Sequence, residues 1–260
     1  MIVGFIQNSP RFGEKQENFS QIATLAKGII ADLLVLPELF ATGYTFTSKE
    51  EAHQLAETPD GITAGFLKQL SAETGAIMVG GFIEQEGDQI FNSAIMVFGD
   101  NVIGTYRKIH LFNKEKLWFS AGNKQFEVHH VNGMKIGMMI CFDWIFPEVT
   151  RTLALKGVQI IAHPSNLIMP YCQSAMVTRC LENRVFAITA NRIGRETRGD
   201  DDFTFTGSSQ ITCVNGNILS AATTEKLCVN TIDIDIHHAD NKSVNQYNDL
   251  FKDRRIDFYL

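Results

Sequence analysis

The chain has 260 residues, 45% of them hydrophobic and 20% charged, and 23 Lys plus Arg against 29 Asp plus Glu give a net charge of -6. That balance, with no block of like charge, leaves no electrostatic footprint for a phosphate backbone, and no apolar run approaches the roughly 20 residues that cross a bilayer, so neither nucleic acid nor membrane is an expected partner. Five scattered cysteines without a C-x-x-C pair fit reduced thiols in a cytoplasmic protein, with neither a disulfide framework nor a zinc site.

Residues 2–7 read as a first strand; the N-terminus lacks the basic region and small-residue cleavage site of a signal peptide. Residues 18–30 carry Phe19, Ile22, Ala26 and Ile29 at helical spacing, and 33–36 is a continuous apolar run stopped by Pro37, as a strand buried on both faces should be. A second helix is predicted over 63–74, with Phe66, Leu67 and Leu70 on one side. Strands follow over 76–84 and 89–98, then a turn at 98–101 and a strand from Val102 into Arg107 and Lys108. Asn132-Gly133 marks a hairpin leading into a strand over 135–141. Helices over 146–156 and 175–184 then alternate with strands over 159–162 and 186–191. The last third returns to strands over 208–214, 218–222 and 227–236, with a turn at 215–217. Such a mixture of βα and hairpin units rules out a strict parallel barrel and predicts an α/β fold of sheets packed face to face under covering helices. With no repeat, low-complexity tract or linker, residues 1–260 are expected to form one domain.

Reactive side chains stand just past three apolar strands, where α/β proteins place their sites. Glu38, in Leu36-Pro37-Glu38-Leu39-Phe40, is a carboxylate hemmed in by apolar residues. Desolvation of that kind suits a general base; a helix cap or a plain surface charge is the ordinary alternative. In Tyr106-Arg107-Lys108-Ile109-His110-Leu111-Phe112, strand alternation sends Arg107 and Lys108 to opposite faces, so one of them turns away from solvent or into a cleft unless both sit on an exposed strand end. Cys141 ends an apolar strand ahead of a helix opening near Pro147. Backbone N–H groups at such a turn stabilise a thiolate and an adjacent oxyanion, although a buried cysteine taken alone is more often inert packing. His129-His130 and His237-His238 are adjacent pairs at strand positions, which sends the rings of each pair to opposite faces and argues against a shared metal.

Together these segments resemble the nitrilase superfamily of carbon-nitrogen hydrolases, whose triad is Glu, Lys and Cys in that chain order. Leu36-Pro37-Glu38-Leu39-Phe40 with Thr42-Gly43-Tyr44 is similar to the first motif, Tyr106-Arg107-Lys108 with His110-Leu111-Phe112 to the second, and Cys141-Phe142-Asp143 with Phe146-Pro147-Glu148 to the third. Arg179, Glu182-Asn183, Ala190-Asn191-Arg192 and Asp253-Arg254-Arg255 resemble the family's downstream and C-terminal signatures, so the likeness spans nearly the whole chain.

The resemblance implies a four-layer αββα sandwich of two mixed β-sheets, catalytic roles for Glu38, Lys108 and Cys141, and a second glutamate for which Glu115 is the match. It implies neither metal nor cofactor. In that scheme Glu38 takes the Cys141 proton, the thiolate attacks a carbonyl or nitrile carbon, and Lys108 with the Phe142 N–H meets the oxyanion. Carboxylates at 38 and 115 keep Lys108 charged, and Lys108 in turn favours the thiolate. Tyr44, Phe112, Phe142 and Trp144 sit beside these segments and are expected to line the pocket. Asn166 joins them, as the match of a position near the substrate in the family. The expected substrate is a small amide or nitrile with a fairly neutral acyl group. Cys141-Phe142-Asp143 departs from the Trp-Glu that follows the cysteine of true nitrilases, which favours an amidase releasing ammonia through a thioester. An aliphatic nitrilase, an N-carbamoyl amidase and a catalytically silent binding module of the same fold are the alternatives. The family likeness also implies a homodimer or higher homo-oligomer, for which Phe146, Val149, Leu153 and Leu155 give the helix after Cys141 an apolar face.

Overall fold

A computed structural model describes residues 1–259. In chain order the first half reads β1 (Ile2–Gln7), α1 (Lys15–Ala26), β2 (Leu33–Val35), α2 (Lys49–Leu55), α3 (Ile62–Thr74), β3 (Ile77–Glu86), β4 (Gln89–Phe98), β5 (Asn101–Arg107) and α4 (Glu115–Trp118). The second half continues with β6 (Val128–Val131), β7 (Met134–Met138), α5 (Pro147–Leu155), β8 (Ile160–Pro164), α6 (Cys172–Asn183) and β9 (Phe186–Ala190). It ends with β10 (Arg195–Arg198), β11 (Asp201–Thr204), β12 (Gln210–Thr212), β13 (Ile218–Ala221) and β14 (Cys228–Asp233).

Two six-stranded mixed sheets result, in the orders β14-β1-β2-β3-β4-β5 and β13-β12-β9-β8-β7-β6. Each has a parallel centre, β1-β2-β3 in one and β7-β8-β9 in the other, because helical crossovers join those strands, and the flanking strands pair antiparallel. Strand alternation then sorts the core into layers. Val3, Phe5, Leu33, Val35 and Val79 point toward the second sheet, where they share a core with Ile136, Ile160 and Ile188. Ile6, Leu34, Leu36 and Met78 point the other way and pack under Phe19, Ile22, Leu67 and Leu70 of α1 and α3. Leu33–Val35 is therefore buried on both faces, as its unbroken apolar run requires. With α5 and α6 covering the outer face of the second sheet, the order of layers is α, β, β, α, the expected sandwich.

Several expectations need correction. The first helix spans Lys15–Ala26 and not 18–30, since Gly28 in the left-handed region (φ 77) stops it and leaves Ile30 exposed. Val149 and Leu153, assigned above to a partner-facing surface, are fully covered by the chain itself, Leu153 lying directly over Gly137 of β7; only Leu155 of that set is exposed. His237 and His238 sit on a 3-10 turn, Ile236–Ala239, and not on a strand. Among the described residues no helix is long and apolar enough to cross a membrane.

Candidate active site

The ends of β2, β5 and β7 converge at one edge of the seam between the sheets. Pro37 closes β2, and the next residues turn tightly, with Leu39 at φ 48, across the face of β3. Gly81 permits this approach: a Cβ there would lie 2.5 Å from the Leu39 nitrogen and 2.6 Å from Glu38 Cα. Glu38 is thereby held at zero exposure. Lys108 follows β5, its N–H bonded to the Asn92 carbonyl at 2.8 Å. Asn92 also donates from Nδ2 to Glu38 Oε1 at 2.7 Å, so one β4 residue fixes both the lysine backbone and the glutamate side chain.

Lys108 Nζ reaches Glu38 Oε1 at 2.7 Å and Glu115 Oε1 at 2.8 Å. Glu115 Oε1 also accepts the Tyr44 hydroxyl at 2.7 Å, and its Oε2 accepts the Phe112 N–H at 3.1 Å. Of the four carboxylate oxygens in this cluster only Glu38 Oε2 is buried without a partner. That oxygen is the one free to receive a proton.

Burial alone would drive the proton off Lys108, but Glu115 and Glu38 outweigh it and hold its pKa above the ordinary lysine value, so the ammonium persists. Burial pushes Glu115 up, with Lys108 opposing. The Cys141 thiol is raised well above its usual range by burial first and Glu38 second; Lys108 and the Asn166 backbone N–H pull it down by less. The expected gain of thiolate from Lys108 is therefore overcome. The thiol is thus the favoured form of Cys141.

The turn that carries the thiol is braced on two sides. Cys141 has φ 42, an unusual left-handed conformation for a side chain-bearing residue, and opens a 3-10 turn, Cys141–Ile145. Asp143, wholly buried, accepts the Ile140 N–H, the Tyr106 hydroxyl and His110 Nδ1, each at 2.8 Å. His163 stands behind: Nε2 lies 3.0 Å from the Cys141 carbonyl oxygen and Nδ1 3.0 Å from Thr189 Oγ1. Burial lowers the His163 pKa to about 4, which leaves a neutral ring whose Nε2–H donates to that carbonyl.

Cys141 opens into a small recess lined by Phe112, Phe142, Trp144, Asn166, Leu167, Ile168 and Met169. Four of the five expected pocket residues meet there. Tyr44 does not; it lies beyond Glu115, its ring edge-on to Phe203 and Phe205 and its hydroxyl on the carboxylate. Arg107, the other basic residue of the motif, is buried as well: it points away from the cluster to Glu84 and stacks 4.1 Å over the Phe91 ring. Alternation holds, with a buried acceptor on each face. Asn92 and Gly81 escaped the sequence reading, as did the bracing roles of Asp143 and His163, although a glycine inside a strand pattern is a cue for close backbone approach.

A family model described as carbon-nitrogen hydrolase matches residues 2–241. The chain belongs to the carbon-nitrogen hydrolase family. Relatives of this hydrolase include a nitrilase from Pyrococcus abyssi, 45% identical over 99% of this chain and 98% of that protein. An (R)-stereoselective amidase from a Pseudomonas species is 30% identical over 98% of this chain and 92% of its own. Its fold is similar to the crystal structure of a carbon-nitrogen hydrolase from Helicobacter pylori, with a TM-score of 0.90 at 25% identity over 100% of this chain and 97% of that one.

Proposed function

We propose that this carbon-nitrogen hydrolase is a cysteine-dependent amidase that releases ammonia from a small-molecule amide through a thioester, with Glu38, Lys108, Cys141 and Glu115 as its catalytic set. The observation that carries the reading is Glu38 Oε2, the one carboxylate oxygen left without a partner in a buried cluster whose charges act on the Cys141 thiol. Glu38 Oε2 accepts the thiol proton while sulfur adds to the amide carbon. The C=O pair moves onto oxygen, where the Lys108 ammonium and the Phe142 N–H stabilise the anion. Glu38 then gives its proton to nitrogen, the C–N bond breaks, and ammonia leaves a thioester. Water loses a proton to Glu38 and attacks that carbonyl; the C–S bond breaks, and Glu38 returns the proton to sulfur. Glu115 keeps Lys108 cationic while Glu38 is protonated in mid-cycle. The five cysteines are free thiols, which suits this chemistry in a reducing, cytoplasmic setting.

The 45% identity to a protein named as a nitrilase favours a second reading, nitrile hydrolysis by the same groups. Ammonia release from matched aliphatic amides and nitriles, with Cys141→Ala in parallel, separates the two. Amide turnover that disappears in the variant is the expected result. Turnover of nitriles alone replaces the amidase reading with the nitrilase one, and a variant as active as the parent removes Cys141 from both.

A further inference from the structure

Asn166 is 3% exposed, and its side-chain Nδ2 and Oδ1 are both buried without a hydrogen-bond partner. Among the described residues no other side chain leaves two buried polar atoms without a partner. Asn191, close by, shows what a structural asparagine does in this fold: Oδ1 takes the Leu167 N–H at 2.8 Å and Nδ2 donates to the Gly207 carbonyl at 2.7 Å. It holds the segment that carries Asn166 and leaves the Asn166 amide idle. A buried amide with empty donors and acceptors weakens the fold unless something meets it.

Its position says what would. Asn166 forms part of the wall of the recess that holds Cys141, and its backbone N–H acts on the thiol, so the side chain stands one short reach from the reacting carbon. Around it the wall is Phe112, Phe142, Trp144, Leu167 and Met169, which carry no charge. The nearby charges, Lys108 with Glu38 and Glu115, are bonded to one another. We infer that the acyl group of the substrate is uncharged and carries, beyond the scissile carbonyl, a neutral group that both donates and accepts, a carboxamide or hydroxyl, seated on Asn166 with its apolar carbons against the aromatic wall. A carboxylate would satisfy Nδ2 and oppose Oδ1, an ammonium the reverse, and either would shed water into a recess with no counter-charge. The inference rests on the amidase reading for the bond cleaved, and on the idle amide for the substrate class.

The test compares pentanamide, glutaramide, glutaramate and 5-aminopentanamide, and the same series one carbon shorter, by ammonia release from the parent enzyme and Asn166→Leu. After a factor of two for its equivalent ends, the diamide is expected to exceed the alkyl amide in kcat/KM by about tenfold, the scale of a hydrogen-bonding pair in a buried site, with both charged members below the alkyl amide. In Asn166→Leu the loss on the diamide should exceed the loss on the alkyl amide by the same factor. Equal losses on both, or a charged member preferred by the parent enzyme, overturn the inference. Calorimetric binding of glutaramide and pentanamide to Cys141→Ala reads the same preference without turnover. A diamide preference there upholds the inference even if the amidase reading falls, and its absence sinks the inference even if that reading stands.

Discussion

Replacing Lys108 with Met takes the cation out of a buried cluster. Nζ lies 2.7 Å from Glu38 Oε1 and 2.8 Å from Glu115 Oε1, with none of the three side chains more than 3% exposed. At an effective dielectric of about 20, each contact carries a gross attraction of ~6 kcal/mol, opposed by several kcal/mol of lost hydration per ion. Removing one partner and leaving the carboxylates facing each other should cost about 3–5 kcal/mol at neutral pH. Glu115 sets the pH dependence. Burial raises its pKa, and Lys108 is the main opposing influence, so without the lysine the folded-state value climbs further above the unfolded value of about 4.3. A carboxyl raised in this way contributes stability that is fully present below the unfolded pKa and is lost as pH rises through the folded one. Lys108→Met should therefore be destabilised more at pH 8 than at pH 5, relative to the parent at each pH. Urea unfolding followed by circular dichroism at the two pH values reads this directly, and kcat/KM on a hydrolysed amide should fall by at least about 10²-fold with the oxyanion donor gone. The same loss of stability at both pH values would show that Lys108 does not neutralise buried carboxylates, and a retained rate would remove it from the oxyanion site.

Two further outcomes follow from the braces around the site. His163, depressed to about 4 by burial, contributes stability that is present above its unfolded pKa of 6.5 and is lost as pH falls through the folded value, about 3 kcal/mol across that window. His163→Gln keeps a donor for the Cys141 carbonyl and does not titrate, so its urea midpoint should fall less steeply than the parent's between pH 6.5 and 4; parallel slopes would show that the ring is not held neutral. Gly81→Ala drives a methyl to 2.5 Å from the Leu39 nitrogen and should cost about 1–3 kcal/mol, with kcat falling more than KM rises because Glu38 rides on the displaced backbone. An unchanged melting temperature with full kcat would mean that the 38–39 turn does not rest on β3.

What the sequence disclosed is what leaves a local trace. An apolar run of four residues ended by proline has one economical fate, a strand buried on both faces, and a Glu, a basic pair and a Cys just past such runs are visible in order. Helix α2 escaped notice because only Ala52 of it is buried, leaving no apolar period to see. The β10-β11 hairpin is short, polar and largely exposed for the same reason. Within the site the braces are invisible to local periodicity: Asn92 meets Glu38 across 54 residues of chain, Tyr106 meets Asp143 across 37, and His163 meets the Cys141 carbonyl across 22. Phe112, Phe142 and Trp144 stand in the recess beside Cys141, whereas the Tyr44 ring turns toward Phe203 and Phe205, residues of a hairpin region with no apolar period of its own.

The candidate catalytic groups are divided between the sheets, and this explains a buried carboxylate that takes no direct part in the proposed chemistry. Glu38 and Lys108 follow strands β2 and β5 of the first sheet and Glu115 opens α4 just beyond, while Cys141 and Asn166 follow β7 and β8 of the second. The base and the nucleophile are thus held at a separation set by sheet packing, and a misplacement near 1 Å is enough to cost about 10²-fold in rate. Tyr106 and His110 flank Lys108 two residues to either side, and both bond to Asp143, two residues past Cys141. Asp143 therefore ties the lysine segment to the nucleophile turn by direct hydrogen bonds, where the apolar seam alone would hold them only by packing. A hydroxyl, an imidazole nitrogen and the Ile140 N–H all converge on its carboxyl group, replacing the water it has lost.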